Sequence, residues 1–170
     1  KASKESIVLL KNDEILPLDI NNIKTIGVIG PNANSRASLI GNYHGTSSRY
    51  ITVLEGIQDY VGDKVRVLYS EGSQLSEDRT EPLAYKNDRI SEAKTVATHS
   101  DVVILCVGLD ETLEGEEGDT GNAYASGDKF DLRLPKTQRV LMEALAETDT
   151  PVILCMMSGS AMDLSFAKEH

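Results

Sequence analysis

The stretch VVILCVGLD, residues 102–110, opens with six apolar residues and no polar alternation, then breaks at a glycine and turns acidic. A short apolar, β-branched-rich run of this kind predicts a parallel strand covered on both faces. Three more runs share its character: TIGVIG (Thr25–Gly30), VRVLY (Val65–Tyr69) and VILCM (Val152–Met156). Between them the apolar spacing is helical. Leu54, Ile57 and Val61 make one stripe, Ile90, Ala93, Val96 and Ala97 a second, and Val140, Leu141, Ala144 and Leu145 a third. Strands alternating with helices predict an α/β fold: a doubly wound, mostly parallel sheet with helices on both faces, a three-layer α/β/α sandwich joined by right-handed crossovers. Strand order is left open.

The chain has 170 residues, enough for one domain (1–170) with a substantial core. Hydrophobic residues make up 40% and charged residues 26%, the balance of a globular protein rather than a disordered one. The longest apolar runs are strand-length and fall far short of the roughly 20 residues of a membrane helix. Seventeen basic against 27 acidic residues give a net charge of −10, which speaks against nucleic acid and anionic membranes as partners. Cys106 and Cys155 each lie in an apolar run, and the expectation is two reduced thiols packed as small hydrophobes. The opening KASKESIVLLKND already has an amphipathic pattern, and the closing AMDLSFAKEH lies within a helical one, so both ends are read as cut from a longer protein, the sheet continuing beyond them.

Two connections exceed the usual ~4–6 residues. One spans Pro31–Tyr50 and the other Gly108–Leu134, and each follows the C-terminal end of a predicted strand, where open α/β sheets place their ligands. A nucleotide site at IGPNAN is disfavoured, because Pro31 displaces the second glycine of a G-x-G-x-x-G turn and the chain has no G-K-[ST] loop. The plainer expectation there is a tight turn with Asn32 or Asn34 capping the segment after it. The second loop crowds Asp110, Glu111, Glu114, Glu116, Glu117 and Asp119 together. On an extended backbone Glu114 and Glu116 would point one way and Glu117 the other. Mutual repulsion and burial both disfavour the charged form of crowded carboxyl groups, as a proton donor near neutral pH requires. A solvated acidic loop is the alternative; a calcium site lacks the D-x-[DN]-x-[DN]-G spacing. His44 is the one histidine in a loop of this kind, and His99 is expected to make end-of-helix contacts. No zinc-type spacing and no catalytic Ser-His-Asp or Cys-His arrangement occurs, so neither metal nor cofactor is implied.

Five segments, in order, resemble the C-terminal α/β domain of glycoside hydrolase family 3. They are SIVLLKND (Ser6–Asp13) followed by Leu16-Pro17-Leu18, and IGVIGPNA (Ile26–Ala33). Next come the G-N-Y-x-G stretch Gly41–Gly45 and V-x-x-V-G-L-D-x-x-x-E-x-E over Val103–Glu116, with a one-residue shift in the strand. The last is L-x-L-P-x-x-Q-x-x-L over Leu132–Leu141. The resemblance implies a retaining, exo-acting β-glycosidase, a β-glucosidase or β-xylosidase. In such enzymes a (β/α)8 barrel supplies the nucleophilic Asp and this domain the acid/base Glu. On that pattern Glu116 is the general acid/base and Glu114 the reserve candidate, while Tyr43 and His44 fall on the substrate-binding loop. The family's E-x-E is followed three or four residues on by D-R; here Asp119 is followed by Thr120, and a Gly/Ala-rich insert runs to Asp128. The implied partners are a β-glycoside or oligosaccharide and the absent N-terminal barrel, without which the chain is expected to be inactive. The compartment, cytoplasmic or secreted, is open. The alternatives are a non-catalytic carbohydrate-binding module, for which the chain has no Trp and few aromatic platforms, and a flavodoxin-like regulatory module, for which it lacks a phosphate loop.

Overall fold

A computed structural model of the chain describes residues 2–41, 43–77, 82–116 and 129–170, the side chains of residues 2 and 3 excepted. Four parallel strands form one sheet: β1 (Thr25–Ile29), β2 (Arg66–Ser70), β3 (Val102–Gly108) and β4 (Val152–Met157), in the order β2-β1-β3-β4. The helices are α1 (Ala2–Glu5), α2 (Val53–Val61), α3 (Asp88–Thr98), α4 (Lys136–Ala146) and α5 (Ser165–Glu169). The three crossover helices are the three predicted stripes.

Side-chain alternation along the strands assigns the two faces. Ile26, Val28, Val102 and Cys106 point to one side and pack with Leu54 and Val61 of α2. Ile29, Val103, Leu105 and Val107 point to the other and meet Ala93 and Ala97 of α3 and Leu141, Met142 and Leu145 of α4. The chain moves one way from β1 to β2 and the opposite way from β2 through β3 to β4, so right-handed crossovers must put α2 on one face and α3 and α4 on the other. That is the arrangement found.

Three expectations need correction. Strands β2 and β4 are not buried on both faces: β4 is half-buried throughout and β2 is partly exposed, because each has a strand neighbour on one side only. A third long connection, residues 71–87, joins β2 to α3. The amphipathic opening is helical only over α1, and Ile7, Val8, Leu9 and Leu10 beyond it are exposed. The cysteines are both reduced and lie opposite each other in the β3–β4 register, with Cys106 buried and Cys155 half-buried. Hydrogen bonding to Cys155, together with burial, pushes the Cys106 thiol up.

Local polar contacts fix the ends of the elements. Thr52 caps α2 by accepting from the Glu55 amide at 3.2 Å. Asp101 accepts from the amides of Lys24 and Thr25 at 2.7 and 2.9 Å, tying the start of β1 to the turn before β3 and holding its carboxyl below the usual 3.8. His99 ends α3, with Nδ1 2.8 Å from the carbonyl oxygen of Thr95. Among the described residues no helix is long and apolar enough to cross a membrane.

The most consequential contact is made by Gln138, which is fully buried on α4. Its Oε1 accepts from the Gly108 amide at 2.8 Å, and its Nε2 donates to the carbonyls of Gly108 at 2.8 Å and Leu75 at 2.7 Å. Replacing Gln138 by Leu keeps the volume but strands two buried backbone groups of Gly108 and the part-buried Leu75 carbonyl. The expected cost is about 2–5 kcal/mol, read as a lowered urea midpoint with an unchanged denaturant slope.

Candidate active site

The order β2-β1-β3-β4 places the topological switch point between β1 and β3, where the following chains leave in opposite directions. Both site loops start there. Gly30 ends β1 with φ +123° and Gly108 ends β3 with φ +154°, conformations open to glycine. A Cβ on Gly30 would lie 2.0 Å from the Cys106 carbonyl oxygen, and one on Gly108 would lie 1.8 Å from that of Met157. No side chain fits at either position.

From Gly30 the first loop crosses the crevice. The Asn32 amide donates to the Cys106 carbonyl at 3.3 Å, and its Nδ2 donates to the Leu109 carbonyl at 3.2 Å. Asn32 is therefore a bridge between the two loops, not the cap expected of it; its side chain is 1% exposed and its Oδ1 has no hydrogen-bond partner among the described residues. Asn34 accepts from Thr52 at 3.0 Å and so supports the residue that caps α2. Beyond a short 3-10 turn at Ala37–Leu39 the loop carries Tyr43, which is 83% exposed, and His44.

His44 is where the loops meet again. Its Nε2 stands 3.5 Å from Glu111 Oε2, and its Nδ1 lies 3.1 Å from the Gly45 carbonyl oxygen. Both neighbours are acceptors, so the ring donates to both only when it carries two protons.

The acidic loop is not extended where it begins. Asp110 accepts from the amide and hydroxyl of Thr112 at 2.9 and 2.6 Å, and its carbonyl accepts from the amides of Leu113 and Glu114, each at 3.0 Å. This makes a single helical turn, locked inward by Leu113, which is 1% exposed. The turn gives the carboxylates different surroundings. Asp110 caps the turn, Glu111 faces His44, and half-buried Glu114 has its Oε1 4.0 Å from the ammonium of Lys129. Glu116, past the turn, is exposed. Glu117 and Asp119 lie outside the described residues. Lys129 has no counterpart among the residues singled out from sequence. The available signal was Asp128-Lys129, an acid followed by a cation at the end of the insert, as D-R follows E-x-E in the resembled pattern.

The profile of the Glycosyl hydrolase family 3 C-terminal domain matches residues 7–170. A β-xylosidase from Formosa agariphila is 33% identical over 99% of this chain and 22% of its own length. Beta-D-xylosidase 3 of Arabidopsis thaliana is 37% identical over 98% of this chain and 19% of its own. Among solved structures, a GH3 exo-β-xylosidase in complex with a xylobiose aziridine activity-based probe superposes with a TM-score of 0.82 at 33% identity, covering 99% of this chain and 19% of that one. A β-glucosidase from Erythrobacter marinus superposes with a TM-score of 0.81 at 29% identity, covering 98% and 24%. The chain spans about a fifth of the length of these relatives.

Among the described residues the Asn32 and His44 side chains bridge the crevice, and their contacts differ in weight. The His44–Glu111 pair is more than a third exposed on both sides, and such pairs contribute about 0–1 kcal/mol. The Asn32 bridge is buried, where a lost hydrogen bond costs about 1–3 kcal/mol. Urea denaturation should therefore show Asn32→Ala destabilising by about 1–3 kcal/mol and His44→Ala by less than about 1 kcal/mol. Asn32→Asp should be the most damaging of the three, because it replaces the donor with a buried charge.

Proposed function

The chain belongs to glycoside hydrolase family 3, and on that premise we propose that it is the acid/base-bearing lobe of a retaining, exo-acting β-glycosidase, with Glu116 as proton donor. The observation that carries this reading is the placement of the carboxylates. Asp110, Glu111 and Glu114 serve the loop itself, as a turn cap and as the near ends of two contacts that hold it. Glu116 is the exposed member of the E-x-E pair, beyond the anchored turn, where a substrate can reach it. The β-xylosidase names of several relatives support a terminal β-xylosyl residue as the substrate.

In the proposed reaction a nucleophilic Asp of the barrel lobe attacks the anomeric carbon while Glu116 protonates the departing glycosidic oxygen. The Glu116 carboxylate then takes a proton from water as the water attacks the glycosyl-enzyme intermediate. The two carboxyl groups of a retaining enzyme stand only ~5–5.5 Å apart, so the lobes must close on each other over the switch point. The lobe alone has no nucleophile and does not turn over. Tyr43 and His44 lie on the loop across the crevice and face the leaving-group side, with exposed Tyr43 making the aglycone contact and His44 holding its loop to Glu111.

Leaving-group dependence tests the assignment in the full-length enzyme. Glu116→Ala should lower disaccharide cleavage by about 10²–10⁴-fold while glycosylation by a dinitrophenyl glycoside, which needs no proton, stays fast. Azide, a nucleophile that needs no general base, should then restore turnover. Glu114→Ala should lose at most about tenfold, well below what a missing proton donor costs, and gain nothing from azide. Azide rescue of the Glu114 variant and not of the Glu116 variant would exchange the two roles. A second measurement addresses Tyr43: Tyr43→Ala should raise KM for disaccharides more than for an activated aryl glycoside, and equal effects on the two would remove it from the aglycone subsite.

A further inference from the structure

We propose that Lys129 is a positioning residue for the proton donor, holding the turn that ends two residues before Glu116; the inference rests on the assignment of Glu116 as that donor. Glu114 and Lys129 are 15 positions apart in the chain, and their charged groups stand 4.0 Å from each other. The Lys129 side chain is only 16% exposed. Its ammonium also donates to the Ala161 carbonyl at 2.8 Å and to the Ser160 hydroxyl, with the Met162 sulfur at 3.5 Å. Ser160, Ala161 and Met162 belong to the connection between β4 and α5. The same connection is tied again by the Asp163 amide, which donates to the Leu132 carbonyl at 2.7 Å. Lys129 is therefore fastened to the connection that follows β4 and meets Glu114 from there.

A lysine serving only solubility would keep its ammonium in water, because desolvating it is costly. Here the ammonium donates to the Ser160 hydroxyl and the Ala161 carbonyl, and the Glu114 carboxylate stands 4.0 Å away as its counter-charge. Chain geometry carries this contact through to catalysis. Glu116 lies two residues past Glu114, and two residues span at most about 7 Å. Fixing Glu114 thus confines the backbone that presents the donor. Proton transfer needs the carboxyl within hydrogen-bond reach of the glycosidic oxygen, and a misplacement of ~1 Å costs on the order of 10²-fold.

The experiment uses the full-length enzyme and a series of aryl and disaccharide substrates of graded leaving-group pKa. Lys129→Met should lower kcat/KM about tenfold for poor leaving groups, a part of the 10²–10⁴-fold an acid contributes, and much less for dinitrophenyl glycosides, steepening the leaving-group dependence toward that of Glu116→Ala. Lys129→Arg, which keeps the cation, should recover most of the loss. The double variant Lys129→Met/Glu116→Ala should be no slower on poor leaving groups than Glu116→Ala alone, because a residue that acts through Glu116 has nothing left to act on. A loss equal across all leaving groups, or losses that multiply in the double variant, would overturn the positioning role while leaving Glu116 in place. If Glu116→Ala itself shows no leaving-group selectivity and no azide rescue, the donor assignment falls first and this role with it. Should Lys129→Met fail to fold, Glu114→Gln removes the charge on the other side of the same contact, with the same selective loss expected and a uniform loss again overturning the role.

Discussion

Everything at the C-terminal edge of the sheet depends on how β3 is made to stop. Gly108 has both backbone polar groups paired to one buried amide side chain, Gln138, and the neighbouring strand end passes so close that no Cβ fits. An asparagine or glutamine amide is one of the few side chains able to satisfy an N–H and a C=O of the same residue at once. With those groups committed to α4, the chain leaves the sheet at Leu109, whose amide goes to the Met157 carbonyl at 2.9 Å. It then enters the Asp110 turn in a fixed direction. Because the third bond of Gln138 reaches Leu75, the same side chain also ties down the connection that follows β2. One buried amide thus sets the departure of the acidic loop and stitches two connections to one helix.

The crevice above this clamp shows how burial sorts interactions that join the same two segments. Asn32 and His44 each link the first loop to the second, but one is enclosed and the other is half in solvent. Exposed pairs are screened and must order two long side chains, so their net contribution is small. A buried amide bridge cannot be replaced by water without opening the crevice. His44 is better suited to setting the approach of the two loops than to holding the domain together.

The sequence made the fold legible because its strongest signals were local. Apolar runs such as VVILCVG and the stripes at Leu54, Ile90 and Leu141 owe their pattern to faces that are covered within this chain. What sequence could not assign was the cover on β2 and β4, since an outer strand and a central one read alike when both are β-branched. The connection at residues 71–87 escaped for a related reason: its role is played by a backbone carbonyl at Leu75, and backbone groups leave no mark on composition. Asn32 and Asn34 read alike in sequence as candidate caps; the Leu109 carbonyl that claims Asn32 is 77 positions away, and Asn34 supports the α2 cap through Thr52. At the site, the E-x-E pair was legible through the resemblance. The turn that separates its members in space depends on Asp110 and Leu113, neither of which announces a helical turn by type alone. Lys129 was hidden by the insert before it, since its partner Glu114 lies 15 positions earlier.

The proposed assignment gives two glutamates near in sequence different work, and their surroundings differ accordingly. Glu114 ends a hydrogen-bonded turn with Leu113 buried beside it, and its carboxylate faces a largely enclosed ammonium group. A donor that alternates between acid and base has other requirements. It needs a carboxyl that a glycosidic oxygen and then a water can reach, delivered by a backbone that does not wander. Glu116 meets the first by its exposure and the second through the anchored turn two residues earlier. On the proposed assignment, the anchored turn at Asp110–Glu114 holds the backbone and Glu116, two residues on, does the proton transfer.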